Sequence, residues 1–121
     1  MRNYLEKRLK EIEEISAYNV NGRKEKFIKQ LLEQGFHDGD IFDLWTHLID
    51  IILPRLKRFQ ELKYGYPGNL SSFEQWTEII DKMIIAFKLL EENKFIYEKE
   101  EEDKIDESLK LFVEWFRNLW W

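Results

Sequence analysis

The sequence predicts an all-α protein, a single-domain bundle of about five helices. Its 121 residues include only five glycines and two prolines, and apolar residues recur three and four positions apart over long stretches. No segment alternates apolar and polar residues between hairpin turns, which is the pattern of a half-buried strand. A chain of this length can bury a core without cross-links, and 44% hydrophobic residues supply the apolar surface for it.

The first two helices are predicted over residues 3–18 and 23–34. Gly35 is expected to end the second, because glycine takes the left-handed conformation of a helix C-cap at little cost. Both segments carry apolar residues at the spacing of one helix face, namely Leu5, Leu9, Ile12 and Ile15 in the first and Phe27, Ile28, Leu31 and Leu32 in the second.

The third helix is predicted over residues 41–64, with a kink at Pro54. A proline inside a helix removes the hydrogen bond that its N–H would donate to the carbonyl of Asp50, at a cost of about 3 kcal/mol. A bend of this kind marks a place where a pocket or a contact surface can form. The residues expected to face inward are Ile41, Leu44, Trp45, Leu48, Ile52, Leu56, Phe59 and Leu62.

Two more helices are predicted after a tight loop at residues 65–69. Ser72 and Gln75 form a capping-box pair at the start of the fourth helix, whose apolar face runs from Phe73 to Leu90. An acidic connector is predicted around residues 93–104, where like charges repel one another. The last helix is predicted over residues 104–120, with Ile105, Leu109, Phe112, Val113, Phe116, Leu119 and Trp120 at helical spacing.

Composition and charge narrow the classes of function. The net charge of −5 disfavours general nucleic-acid binding and attachment to an anionic membrane surface. The absence of cysteine excludes a disulfide framework and a thiolate zinc site. No segment approaches the roughly 20 apolar residues of a membrane span, and the first residues lack the apolar run of a signal peptide. A cytoplasmic protein is therefore expected.

Motifs that carry chemistry are missing from the sequence. It has no glycine-rich phosphate-binding loop of either common type and no serine or threonine in a nucleophile elbow. The sequence therefore predicts a non-enzymatic binding protein, with no catalytic residue, no metal site and no cofactor.

The strongest candidate for a ligand site surrounds Pro54 and the following loop. Guanidinium and ammonium groups suit phosphate or carboxylate partners, and tyrosine rings can stack on a base. The residues expected to bind a small anionic, nucleotide-like ligand are Arg55, Lys57, Arg58, Tyr64, Tyr66 and Lys82. The alternative is a core helix whose cations are solvated or pair with Glu61 and the acidic connector.

A metal-dependent nucleotide hydrolase is the competing enzyme hypothesis. On one helix face Asp43, His47 and Asp50 could offer metal ligands, and Glu78 with Asp81 could add carboxylates from the next helix. This pattern is similar to that of the all-α nucleotide pyrophosphohydrolases, but the paired-glutamate helix of that family is missing. Solvated helix faces are the alternative interpretation, and a structural or assembly protein is a further class.

The C-terminal aromatic residues form a second candidate surface. If Phe116 and Leu119 face the core together with Trp120, then Trp115 or Trp121 lies on another side of the helix. Exposed tryptophan beside arginine is typical of an interface anchor, so Trp115, Trp120 and Trp121 predict a homo-oligomer or a protein partner. The alternative is that all of them cover the core of their own chain.

Three segments carry a resemblance to a known group of proteins. They are Leu53-Pro54-Arg55-Leu56-Lys57, Gly65-Tyr66-Pro67-Gly68 and Asp81-Lys82-Met83-Ile84-Ile85-Ala86-Phe87. In this order, over about residues 42–120, the chain resembles an uncharacterised family of small helical bacteriophage and prophage proteins. The resemblance implies a phage origin and action in the bacterial host cytoplasm, and it brings no catalytic residue. By analogy with other small phage proteins it implies a counter-defence factor that sequesters a nucleotide signal or blocks a host protein.

Overall fold

The structure is a computed structural model that describes residues 2–15, 21–93 and 98–120. The all-α prediction is confirmed, and no strand occurs within these ranges. The five helices are α1 (Arg2–Glu14), α2 (Arg23–Gln34), α3 (Leu44–Leu62), α4 (Phe73–Asn93) and α5 (Lys99–Trp115). No helix in the described ranges has the length and apolar character that crossing a membrane requires.

Backbone proximity divides the chain into two compact units, Met1–Leu44 and Trp45–Trp121. The first unit contains α1, α2 and a short 3₁₀-helix at Asp38–Ile41. Its core consists of Ile12, Phe27 and Leu31. The second unit contains α3, α4 and α5. The organisation of the whole chain as one domain stays a prediction.

The end of α2 follows the sequence prediction. Gly35 has a φ of 85°, in the left-handed region, and its N–H donates to the carbonyl of Leu31 at 2.9 Å. The predicted end of the first helix cannot be compared in the same way, because residues 16–20 lie outside the described part of the chain.

A buried polar cluster stabilises the first unit. The guanidinium of Arg8 donates to the carboxylates of Asp40 and of Glu11, the latter at 2.7 Å. The side chains of Arg8 and Asp40 are both buried. Burial alone would raise the pKa of Asp40, but hydrogen bonds from Arg8 and from the backbone N–H of His37, together with the charge of Arg8, lower it. Burial acts to lower the pKa of Arg8, and its two carboxylate partners raise it.

His37 completes this cluster. Its Nδ1 accepts a hydrogen bond from the N–H of Gly39 at 3.1 Å, and its Nε2 lies 3.2 Å from Oδ1 of Asp40. The ring stacks on Phe27 with the centroids 4.7 Å apart. The ion pair of Asp40 with Arg8 therefore connects the 3₁₀-helix to α1. The stacking of His37 on Phe27 connects the start of the 3₁₀-helix to α2.

The core of the second unit draws on all three of its helices. Trp76, Ile80 and Met83 of α4 are fully covered, and they pack with buried residues of α3 and α5. The complete set is Ile49, Leu53, Leu56, Trp76, Ile80, Met83, Phe87 and Trp115. At the start of α4 the hydroxyl of Ser72 accepts the N–H of Gln75 at 3.1 Å, as in a capping box. The side chain of Gln75 bonds to the N–H of Ser71 instead of that of Ser72.

Pro54 lies inside α3, which is continuous from Leu44 to Leu62. The kink at this position stays a prediction. Four residues that were expected to face inward, Ile41, Leu44, Leu48 and Leu62, are exposed. Ile41 belongs to the 3₁₀-helix, so the helical periodicity of α3 does not determine which way its side chain points.

The acidic segment is helical from Lys99 onward, and Glu98 precedes the helix in an extended conformation. α5 begins at Lys99, and its first turn contains Glu100, Glu101 and Glu102. Carboxylates are favourable there because they oppose the positive end of the helix dipole. Residues 94–97 of the predicted connector lie outside the described part of the chain.

Candidate functional site: an aromatic pocket

Aromatic side chains of the second unit surround a cavity of about 220 Å³. We call it the aromatic pocket. Its lining residues come from the loop after α3, from α4 and from the C-terminal segment, and they are Tyr64, Gly65, Tyr66, Pro67, Trp76, Asn118 and Trp120.

Trp76 forms a rigid floor for the aromatic pocket. Its side chain is only 1% exposed, and its ring packs edge-on against Phe59 and Trp115, with centroids 6.4 and 5.7 Å away. Tyr64 and Trp120 are 77% and 75% exposed, so the walls of the pocket are open to solvent.

Local backbone turns place the two walls. In the loop, the N–H of Leu70 donates to the carbonyl of Pro67 at 3.0 Å. At the C-terminus, α5 tightens into a 3₁₀-helix at Phe116–Asn118, and the N–H of Trp120 donates to the carbonyl of Asn118 at 2.9 Å. The Trp120 ring therefore lines the same cavity as Tyr64 and Tyr66.

The chemistry of the pocket suits a flat ring. Aromatic faces stack on planar ligands, while the edges of tyrosine and tryptophan supply polar groups. The amide of Asn118 has both a donor and an acceptor, and so can match a polar ring edge.

The predicted cations do not join the tyrosines at this pocket. No cation is among the described residues that line it. Arg58 pairs with Glu61 at 2.7 Å, and Lys82 lies 4.0 Å from Glu107 across α4 and α5. Lys57 is exposed on α3. The structure thus separates the predicted ligand site into an aromatic pocket and a set of surface cations.

Arg55 lies at a different cavity of the second unit. One of its Nη atoms donates to the carbonyl of Ile51 at 2.9 Å. Arg55 also lines an apolar groove between α3 and the C-terminal end of the chain. It is the one predicted cation that borders a described cavity.

Lys63 is a buried residue that the sequence interpretation missed. Its Nζ donates to Oγ1 of Thr77 at 2.8 Å and lies 4.1 Å from the centroid of the Phe73 ring. Burial lowers the pKa of Lys63, and the charge of Asp81 offsets part of that change. Lys63 directly precedes Tyr64, so it anchors the pocket loop to α4. Lys63 follows the buried Leu56 by seven residues, which is about two helical turns, so helical periodicity places it on the inward face.

The residues of the metal hypothesis do not form one cluster. Within the described ranges, no group of three or more histidine, aspartate and glutamate side chains could hold a metal ion. Asp81 instead accepts a hydrogen bond from Nε2 of Gln60 at 2.7 Å, and Asp43 precedes α3. His47, Asp50 and Glu78 lie on the two helices as predicted. The hydrolase hypothesis itself stays untested.

The predicted inward residues of the C-terminal segment are confirmed in part, because Ile105 is buried and Leu109, Phe112 and Leu119 pack against the core. Of the two tryptophans that could lie away from the core, Trp115 is 8% exposed and packs in it. Phe116 and Trp120, which were expected to face the core, are 59% and 75% exposed. The buried positions of α5 are Ile105, Ser108 and Trp115. Because Ser108 is small and polar, the spacing of apolar residues does not show that this face of the helix is buried. Trp121 lies outside the described part of the chain. A homo-oligomer through the C-terminal aromatic residues stays a prediction, and of the described tryptophans in this segment Trp120 is the exposed one.

The fold and the pocket define the class as an all-α protein whose second unit contains an aromatic pocket. Comparisons with protein-family models, with curated proteins and with solved structures give no match. The resemblance to small phage proteins therefore stays a prediction.

Proposed function

We propose that the chain is a non-enzymatic binding protein that holds a planar ring, such as the base of a nucleotide-like ligand, in the aromatic pocket. The observation that carries this proposal is the convergence of four aromatic side chains on one cavity, Tyr64, Tyr66, Trp76 and Trp120. Tyr64 and Tyr66 were also the stacking residues expected from the sequence.

The size and lining of the pocket limit the ligand. Pockets for drug-sized molecules occupy about 300–1,000 Å³, so a volume of about 220 Å³ suits one ring system. Because no cation is among the described lining residues, stacking on the ring supplies the affinity and the phosphate of a nucleotide contributes little. Stacking of one base on aromatic side chains contributes about 1–3 kcal/mol.

Replacing Trp120 by alanine is expected to weaken nucleoside binding by about tenfold or more, because one open wall of the pocket is lost. The measurement is titration of the full chain with nucleosides, nucleoside monophosphates and inorganic phosphate. Binding is monitored by tryptophan fluorescence and by the shift in melting temperature. Nucleosides and monophosphates should bind alike, and phosphate alone should produce no shift.

Phe42→Ala is the matched control. Phe42 is the most exposed of the described large apolar residues, and it does not line the pocket. Equal losses in the Trp120 and Phe42 variants would contradict the proposal. A thermal shift with phosphate alone would also contradict the proposal, because it would show that the surface cations supply the affinity.

We infer further that such binding serves counter-defence in a bacterial cell. The support is the resemblance of residues 42–120 to small phage proteins, which includes the pocket loop. Expression of the wild-type chain should restore plating of a phage restricted by a nucleotide-signalling defence, and expression of the Trp120→Ala variant should not. Equal plating of the phage with the wild-type chain and with the Trp120→Ala variant would argue against a role for the pocket.

A further inference from the structure

The second unit has an apolar groove, distinct from the aromatic pocket, that the proposed function does not use. The groove has a volume of about 270 Å³, room for one or two large side chains. We define it by Ile51, Ile52 and Phe59 of α3 and by Phe112, Phe116 and Leu119 of the C-terminal end.

The groove has a firm wall and an exposed rim. The Phe112 ring packs edge-on against Phe87 and Phe116, with centroids 5.1 and 5.4 Å away. On the other side, Leu48 and Ile51 share one face of α3 and are 44% and 42% exposed. Exposed apolar side chains grouped on one helix face beside a groove are typical of an interaction site, in contrast to single exposed apolar residues.

A positive charge borders the groove. Arg55 lines it, and the hydrogen bond to the carbonyl of Ile51 holds the guanidinium at its edge. Arg117 follows Phe116 in the sequence and is exposed. Within the described ranges, no carboxylate forms an ion pair with either arginine. In a chain of net charge −5, Arg55 therefore gives the edge of the groove a local positive charge.

We propose that the groove binds an amphipathic, acidic helix of a partner protein. Apolar residues one turn apart on that helix would fill the space between Phe116 and Ile51, as in other helix-in-groove complexes. A carboxylate on its rim would pair with Arg55 through charge-assisted hydrogen bonds. A second copy of the chain fits less well, because a two-fold axis through the groove would bring Arg55 toward the Arg55 of the other copy.

The probes are two synthetic peptides of about 15 residues, the length at which isolated helices become marginally stable. The first carries leucine at helical spacing with glutamate beside it, and the second has lysine in place of each glutamate. Fluorescence anisotropy of each peptide is measured against the full chain. The acidic peptide should bind about tenfold more tightly than its basic counterpart.

Two exposed-site variants test the geometry. Arg55→Glu should reverse the preference between the peptides, and Phe116→Ala should weaken binding of the acidic peptide by about tenfold. Val113→Ala, which removes an exposed apolar side chain outside the groove, should change neither affinity.

Three results would overturn the proposal. They are equal or undetectable binding of the two peptides, an unchanged preference in the Arg55→Glu variant, and a dimer of the wild-type chain in sedimentation that the Phe116→Ala substitution abolishes. The last result would assign the groove to a second copy of the chain.

Discussion

Replacing Trp115 by alanine is expected to lower the free energy of unfolding by about 3–5 kcal/mol, the usual cost of removing a large aromatic side chain from a core. Trp115 is buried, its ring packs edge-on against Trp76, and it belongs to the same core cluster as Ile80 and Met83. The cavity left behind would adjoin Trp76, the floor of the aromatic pocket. Urea unfolding of the full chain measures the change.

Trp120→Ala is the matched control for this prediction. Both residues are tryptophans at the C-terminal end, but Trp120 is 75% exposed, so its removal should cost less than about 1 kcal/mol. A larger loss of stability in the Trp120 variant than in the Trp115 variant would contradict the observed orientation of the helix. It would favour the faces that the sequence pattern predicted.

Replacing Arg8 by methionine should destabilise the chain by about 3–5 kcal/mol, because it leaves the buried carboxylate of Asp40 without its cation. Arg58→Met is the control. It breaks an ion pair of similar spacing to Arg8–Glu11, but both Arg58 and Glu61 are exposed, so the expected loss is below about 1 kcal/mol. Similar losses in the two variants would show that the Arg8 cluster is not buried in solution.

The same cluster predicts how stability depends on pH. The pKa of Asp40 is lower in the folded chain than its value of about 3.9 in an unfolded one. Its contribution is therefore present above pH 4 and is lost as the pH falls from there through the folded pKa. Asp40→Asn should remove this part of the acid dependence, measured as the difference in unfolding free energy between pH 7 and pH 3. An unchanged difference would contradict the assignment.

Periodicity predicted the helices well where one apolar face dominates the sequence. For α4 the start at Phe73 and the inward residues Trp76, Ile80 and Met83 were all anticipated. For α5 periodicity correctly placed Ile105, Leu109 and Phe112 toward the core. It also placed Val113 and Phe116 there, although both are exposed, and it missed the buried Ser108. Burial of a small polar residue depends on the partner helix, and that information is not present in the spacing of one segment.

The sequence located parts of the candidate site without showing how they meet. Tyr64 and Tyr66 were identified, but Trp120 joins them only because α5 tightens into a 3₁₀-helix and the chain then turns back. The Arg8–Asp40 pair was missed for a related reason, since its residues are 32 positions apart and neither belongs to a recognisable motif. Contacts of this range depend on the packing of helices, which local patterns do not encode.

The claim that the aromatic pocket binds a planar ring is tested most directly by NMR of the tryptophan indole N–H groups during titration with a nucleoside. The resonances of Trp76 and Trp120 should shift together with one saturation curve, while that of Trp45, which does not line the pocket, should stay unchanged. If no indole resonance shifts at saturating nucleoside, or if Trp45 shifts as much as Trp120, the pocket is not the binding site.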